Sequence, residues 1–79
     1  MKARAFVQIQ CRSHADATEL ALRLQADDYS AVRRWKAVIA PTETRDEAEV
    51  LARRLQSWAA PGGTRISETA PQNPAAILA

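Results

Sequence analysis

The stretch FVQIQCRSHADATELALRLQ, residues 6–25, decides the fold, because it returns in altered form as AVIAPTETRDEAEVLARRLQ at residues 37–56. The displacement that carries Val7 onto Val38 also carries Ser13 onto Thr44, Asp16 onto Glu47, Ala17 onto Ala48 and Leu20 onto Leu51. It then matches Ala21 with Ala52, Arg23 with Arg54, Leu24 with Leu55 and Gln25 with Gln56. Each copy reads as a short apolar strand, a helix cap and an amphipathic helix. Two strand-helix units about a pseudo-twofold axis are therefore expected.

In the first copy Ala5, Val7, Ile9 and Cys11 alternate with Phe6, Gln8 and Gln10, the period of two that marks a strand with one dry face. Ser13 stands where an N-cap belongs, with Asp16 as a weak capping-box partner. Ala17, Leu20, Ala21 and Leu24 then fall at i, i+3, i+4 and i+7, a single apolar stripe. The pair Asp27 and Asp28 is unfavourable at the negative end of a helix dipole, which predicts a stop near Ala26. In the second copy Pro41 ends the strand, Thr44 and Glu47 supply the T-x-x-E capping box, and Ala48, Leu51, Ala52, Leu55 and Trp58 supply the stripe. Pro61, Gly62 and Gly63 form a breaker, and residues 64–69 read as a short edge strand around Ile66.

Residues 31–40 are the awkward part. The repeat puts Val38 and Ala40 on the core face with Val7 and Ile9, and Trp35, Ala37 and Ile39 on the opposite face with Phe6. Two readings compete: one long strand with an apolar outer row, with or without a bulge, or two short strands with Arg33 and Arg34 as a tight turn. Two-residue hairpins favour Asn, Asp or Gly, so a double-arginine turn is chemically poor and the long strand is preferred.

Composition sets the remaining bounds. The chain has 79 residues, 47% of them hydrophobic and 25% charged, which fits one ordinary globular domain. A domain over residues 1–70 and a flexible tail over 71–79, with Ile77 and Leu78 as an alternative docking arm, are expected. A chain this small buries only about 60 to 65% of its unfolded surface. Eleven basic and nine acidic residues give a net charge of +2, too balanced to argue for nucleic acid by itself. The single cysteine, Cys11, excludes an internal disulfide and reads as a buried, inert thiol. No apolar run is long enough to span a membrane and no signal-peptide core follows Met1, so a cytoplasmic protein is expected.

Catalytic patterns are sparse. With one histidine, His14, neither a Cys-His nucleophile with an orienting third group nor a histidine metal cluster assembles from the spacing. The segments before the helices, CRSHA and PTETR, contain no glycine, which argues against a phosphate-cradling loop. Glu43, Asp46, Glu47 and Glu49 complement the dipole of the second helix. No cofactor, no metal and no enzymatic activity are expected.

The outer sheet face is the better candidate. Phe6, Trp35 and Ile39, with Arg33, Arg34 and Lys36 alongside, form an apolar and basic group that a solvated sheet would not carry without a partner. The reading is a small non-enzymatic interaction module, a homodimer or a subunit of a larger assembly, with these residues as its contact. The alternative is single-stranded nucleic acid, Trp35 stacking on bases while Arg33, Arg34 and Lys36 hold phosphates.

The segments FVQIQCRSHADATELALRLQADDYSA, residues 6–31, and WKAVIAPTETRDEAEVLARRLQ, residues 35–56, resemble the two halves of bacterial SPOR domains. The likeness covers most of residues 5–56 and rests on the strand before each helix and the A-x-x-L-A-x-x-L stripe within it. It implies a ferredoxin-like fold and, as a further alternative, binding to the glycan strands of peptidoglycan. That family carries glycine near the ends of its first and third strands, where this chain has Gln10 and Ala40, and a longer hairpin segment than residues 29–36 supply. The expected architecture is an α+β two-layer sandwich, ferredoxin-like, with two helices on one face of a three- or four-stranded sheet.

Overall fold

A computed structural model describes residues 5–68. The element order is β1 Ala5–Cys11, α1 His14–Ala26, β2 Val32–Arg34, β3 Ala37–Thr42, α2 Arg45–Arg54, a 3-10 turn Gln56–Trp58, and β4 Ala59–Ser67. The strands form one four-stranded sheet in the order β2-β3-β1-β4, every pair antiparallel. The fold is α+β and compatible with a ferredoxin-like sandwich.

Both helices begin where their caps dictate. The Ser13 hydroxyl oxygen accepts from the Asp16 N–H at 3.1 Å, and the Thr44 hydroxyl oxygen accepts from the Glu47 N–H at 3.1 Å. Each cap satisfies one of the amides a helix start leaves free, a contribution of about 1 kcal/mol. Helix α1 ends at Ala26, as the acids require, and Asp28 turns the chain with a φ of 68°, a conformation Asp tolerates.

The register places the core. Val7 pairs with Ala40 and Ile9 with Val38, so the odd residues of β1 and the even residues of β3 share one face. Ala17, Leu20, Ala21 and Leu24 of α1 and Ala48, Leu51 and Ala52 of α2 bury against that face. Ile66 of β4 lies opposite Val7 on the same side. Among the described residues Thr42 is the one buried polar residue, and its hydroxyl donates to the Ala5 carbonyl at 3.1 Å. Trp58 falls just beyond α2, in the 3-10 turn, half-buried against the core.

The segment over residues 31–40 is not one long strand. Arg34 pairs with Ala37, leaving Trp35 and Lys36 as a two-residue turn, so the hairpin tip falls two residues later than a double-arginine turn would put it. Pairing supplies the reason: a long strand would leave the backbone of Val32–Arg34 without ladder partners, whereas the hairpin satisfies it. Trp35 takes the positive φ the turn demands, 55°. The Arg33 guanidinium donates to the Trp35 carbonyl at 2.9 Å, and the Cys11 N–H donates to the Lys36 carbonyl at 2.8 Å, holding the turn from both sides.

The last strand also differs from the sequence reading. It starts at Ala59, and Pro61, Gly62 and Gly63 lie inside it as a bulge. Ile9 pairs with Thr64, yet Cys11 pairs with Ala59, so extra residues are accommodated on β4 between those rungs. Gly62 supplies a φ of 70°. Gly63 is required by space, because a Cβ there would stand 2.6 Å from the Gln10 carbonyl oxygen and 2.9 Å from that of Ala60. The tail expected over residues 71–79 lies outside the described residues.

Candidate functional site

The face of the sheet turned away from both helices is built by the other half of each strand. Across its centre run Val32, Ile39, Gln8 and Arg65, one from each strand in sheet order. Pro41, Phe6 and Ser67 form the row toward the start of β1, and Arg34, Ala37 and Gln10 the row toward its end. Phe6, Ile39 and Pro41 are half-buried, while Val32 is exposed. The charged members, Arg34 and Arg65, stand on the two edge strands. The strip on β1 and β3 is therefore free of charge, with Gln8 and Gln10 as its polar groups.

Of the residues named from sequence, Phe6, Ile39 and Arg34 are on this open face. Trp35 is not: it forms the hairpin tip, beyond the end of the alternation that was expected to carry it outward. The two-residue turn also exchanges the phase of the preceding strand. Arg33 lies opposite Val38, on the side of the core, while Val32 and Arg34 take the open side with Ile39 and Ala37. Val32 and Arg65 were therefore not legible as site residues without placing the turn and the register of β4.

The tip forms a second cluster. Trp35 is 66% exposed. Its ring meets His14, the first residue of α1, edge-on at 5.6 Å between centroids, and the Lys36 ammonium lies 5.1 Å from its centroid. Arg12, whose guanidinium reaches the Ser57 carbonyl at 3.3 Å, lies at the same end of the sheet. The opposite end is acidic: Glu43, Asp46, Glu47 and Glu49 open α2, and Arg45 there is held by Glu49 at 3.4 Å and Glu68 at 3.3 Å. Among the described residues, Arg12, His14, Arg33, Arg34 and Lys36 thus fall at one end of the sheet and Glu43, Asp46, Glu47 and Glu49 at the other, an arrangement that the net charge of +2 conceals.

Beside the β4 bulge a shallow hollow opens on the outer face, lined by Gln8, Gln10, Arg65 and the backbone of residues 60–63. Cys11 is buried, and its thiol is held above its ordinary range by desolvation first and then by Asp16, partly offset by Arg12. Such a thiol stays protonated at neutral pH and is a poor nucleophile. Among the described residues no group of three His, Cys, Asp or Glu side chains is placed to hold a metal ion, and no helix is long and apolar enough to cross a membrane. No family model, curated protein or solved structure matches the chain.

Proposed function

We propose that the protein is a non-enzymatic interaction module that pairs with a second copy of itself through the open face of its sheet. The observation that carries this reading is the charge-free strip of Phe6, Gln8, Gln10, Ala37, Ile39 and Pro41 on the two central strands. A second copy suits it for a chemical reason. Glutamine amides both donate and accept, so the strip is complementary to itself, and Arg34 and Arg65 on the edge strands stay in the solvated rim.

The sheet edges are poorer contacts. Strand β2 spans only Val32–Arg34 and carries two arginines, and β4 is interrupted by its bulge, both recognised protections against edge pairing. A sheet-on-sheet pair of this size belongs among small, weak interfaces, with dissociation constants in roughly the micromolar range. Sedimentation equilibrium over rising concentration should show a monomer-dimer equilibrium that Ile39→Lys and Ile39→Glu both abolish while far-ultraviolet circular dichroism is unchanged. A monomer at millimolar concentration sinks the proposal.

The fold is read in the same spirit as ferredoxin-like, with two strand-helix units related by a pseudo-twofold axis. The strand order and the paired caps Ser13 and Thr44 support this. A second functional reading, a SPOR-like affinity for glycan strands, draws on the hollow beside the bulge. Its two glutamine amides, the Arg65 guanidinium and accessible backbone are a hydrogen-bonding set suited to sugar hydroxyls. The hairpin between α1 and β3 also agrees with that resemblance. Co-sedimentation with purified cell-wall sacculi, lost in Gln8→Ala with Gln10→Ala, separates it from the dimer.

A further inference from the structure

Trp35 breaks two local rules at once. It occupies a positive-φ position in a two-residue turn, where glycine or asparagine is the ordinary residue, and it leaves a large aromatic ring 66% exposed. A bulky side chain in that backbone region costs on the order of 1–2 kcal/mol. The core does not require it, since the ring is outside the core cluster, and among the described residues its aromatic and cation-π contacts are with exposed His14 and the neighbouring Lys36. A strained, exposed residue with no structural return is where a binding role is sought.

The surroundings give the ligand its chemistry. Arg12, His14, Arg33, Arg34 and Lys36 all fall at this end of the sheet, with Lys36 over the ring and His14 at its edge, and Asp16, which follows the Ser13 cap, is half-buried. Arg33 is folded back onto the Trp35 carbonyl and Arg12 reaches the Ser57 carbonyl, which leaves exposed Arg34 and Lys36 as the cations on either side of Trp35 in the chain. A planar ring beside several cations matches a ligand that repeats a planar base and an anionic phosphate along a flexible chain. We propose that the hairpin tip is a binding site for single-stranded nucleic acid, Trp35 stacking on a base while Arg34 and Lys36 meet the adjacent phosphates.

The competing occupants fit less well. An anionic membrane surface would ask for more than one apolar anchor, and the residues flanking Trp35 are all cationic. The acidic end of a second copy, around Glu43 and Asp46, matches the charge but offers no planar partner for the ring.

The test uses the full chain with Trp58→Phe, so that Trp35 is the sole tryptophan and is excited selectively over Tyr29 at the red edge of its absorption. Titration with short oligothymidylate at low salt should quench Trp35, because stacking on a base quenches indole emission. Affinity should fall with salt at a log-log slope of about −1.4 for two phosphate contacts, and Lys36→Gln should flatten that slope by about 0.7. Trp35→Gly and Trp35→Asn, followed by anisotropy of labelled oligonucleotide, should fold at least as stably as the parent yet bind roughly tenfold or more weakly. Two variants guard against one failing to fold.

Each other outcome overturns the proposal. It fails if oligothymidylate neither quenches nor binds, or if both Trp35 variants keep parental affinity. It fails equally if inorganic polyphosphate binds as tightly as oligothymidylate, because then the bases contribute nothing. Binding to phosphatidylserine vesicles without binding to oligothymidylate assigns the tip to membranes. Tip-dependent self-association that oligothymidylate does not disturb assigns it to the acidic end of a second copy. None of these results touches the dimer, which rests on Phe6, Ile39 and the strip between them.

Discussion

Gly62 and Trp35 have almost the same backbone φ, 70° and 55°, and stand for opposite solutions to one steric problem. At the β4 bulge the chain uses glycine twice, once for the angle and once, at Gly63, for room against the Gln10 carbonyl. At the hairpin tip it uses tryptophan, the largest side chain available. Where a local rule is obeyed, the residue explains itself through the fold. Where the rule is broken in plain view, the explanation must come from something other than folding.

The largest effect should come from the bulge. Gly63→Ala places a methyl carbon 2.6 Å from a backbone oxygen that belongs to a central strand and has no easy way to move. A loss of about 3 kcal/mol is expected, read as a lower urea midpoint. Gly62→Ala meets nothing within 4 Å and carries only the cost of its angle, about 1 kcal/mol. If the two variants lose the same stability, the space argument at Gly63 is wrong and the bulge is governed by backbone conformation alone.

The hairpin tip should respond with the opposite sign. Trp35→Gly removes the strain and the exposed ring while losing a cation-π contact, exposed and of the order of 0.5–1 kcal/mol, and a ring contact with His14. The sum is a gain of up to about 1 kcal/mol, offset in part by the greater freedom of glycine in the unfolded chain. Thermal unfolding decides the matter. A clear loss of stability would make Trp35 a structural residue after all, and the contrast with Gly62 would disappear.

The same contrast accounts for what could be read from the sequence. The caps at Ser13 and Thr44, the stop at Ala26 and the buried stripes were legible because each depends on residues within one turn of a helix. The sheet's odd-even phase on β1 and β3 was legible from Val7, Ile9, Val38 and Ala40 for the same reason. The turn at Trp35 and Lys36 was not, since turn chemistry argues against tryptophan and only the pairing of Val32–Arg34 with Ala37–Ile39 forces it. That one displacement moved Trp35 off the open face and brought Val32 onto it. The Pro61-Gly62-Gly63 run was recognised as punctuation but not as a bulge, because a bulge exists only relative to a partner strand, here β1. The charge segregation likewise depends on which helix end meets which strand end.

Cys11 joins the two regions, and it gives the smallest and most specific prediction. Its N–H holds the Lys36 carbonyl of the hairpin, and its rung with Ala59 closes the bulge on the far side. The thiol lies above its ordinary value near 9.0 through desolvation, then Asp16, with Arg12 opposing. A raised value means the folded state holds the proton more tightly than the unfolded chain does. The contribution is therefore fully present below the unfolded value and is lost as pH rises through the folded one. Stability should be independent of this group near neutral pH and decline above about pH 9, by no more than about 1.4 kcal/mol per pH unit. The informative quantity is the difference between the parent and Cys11→Ala in urea midpoint from pH 7 to pH 10, in which ionisations common to both proteins cancel. That difference should shrink as pH rises, because the parent alone loses the thiol's contribution. A constant difference would mean that the thiol ionises as freely in the fold as out of it, and that the junction of hairpin and bulge is open to water.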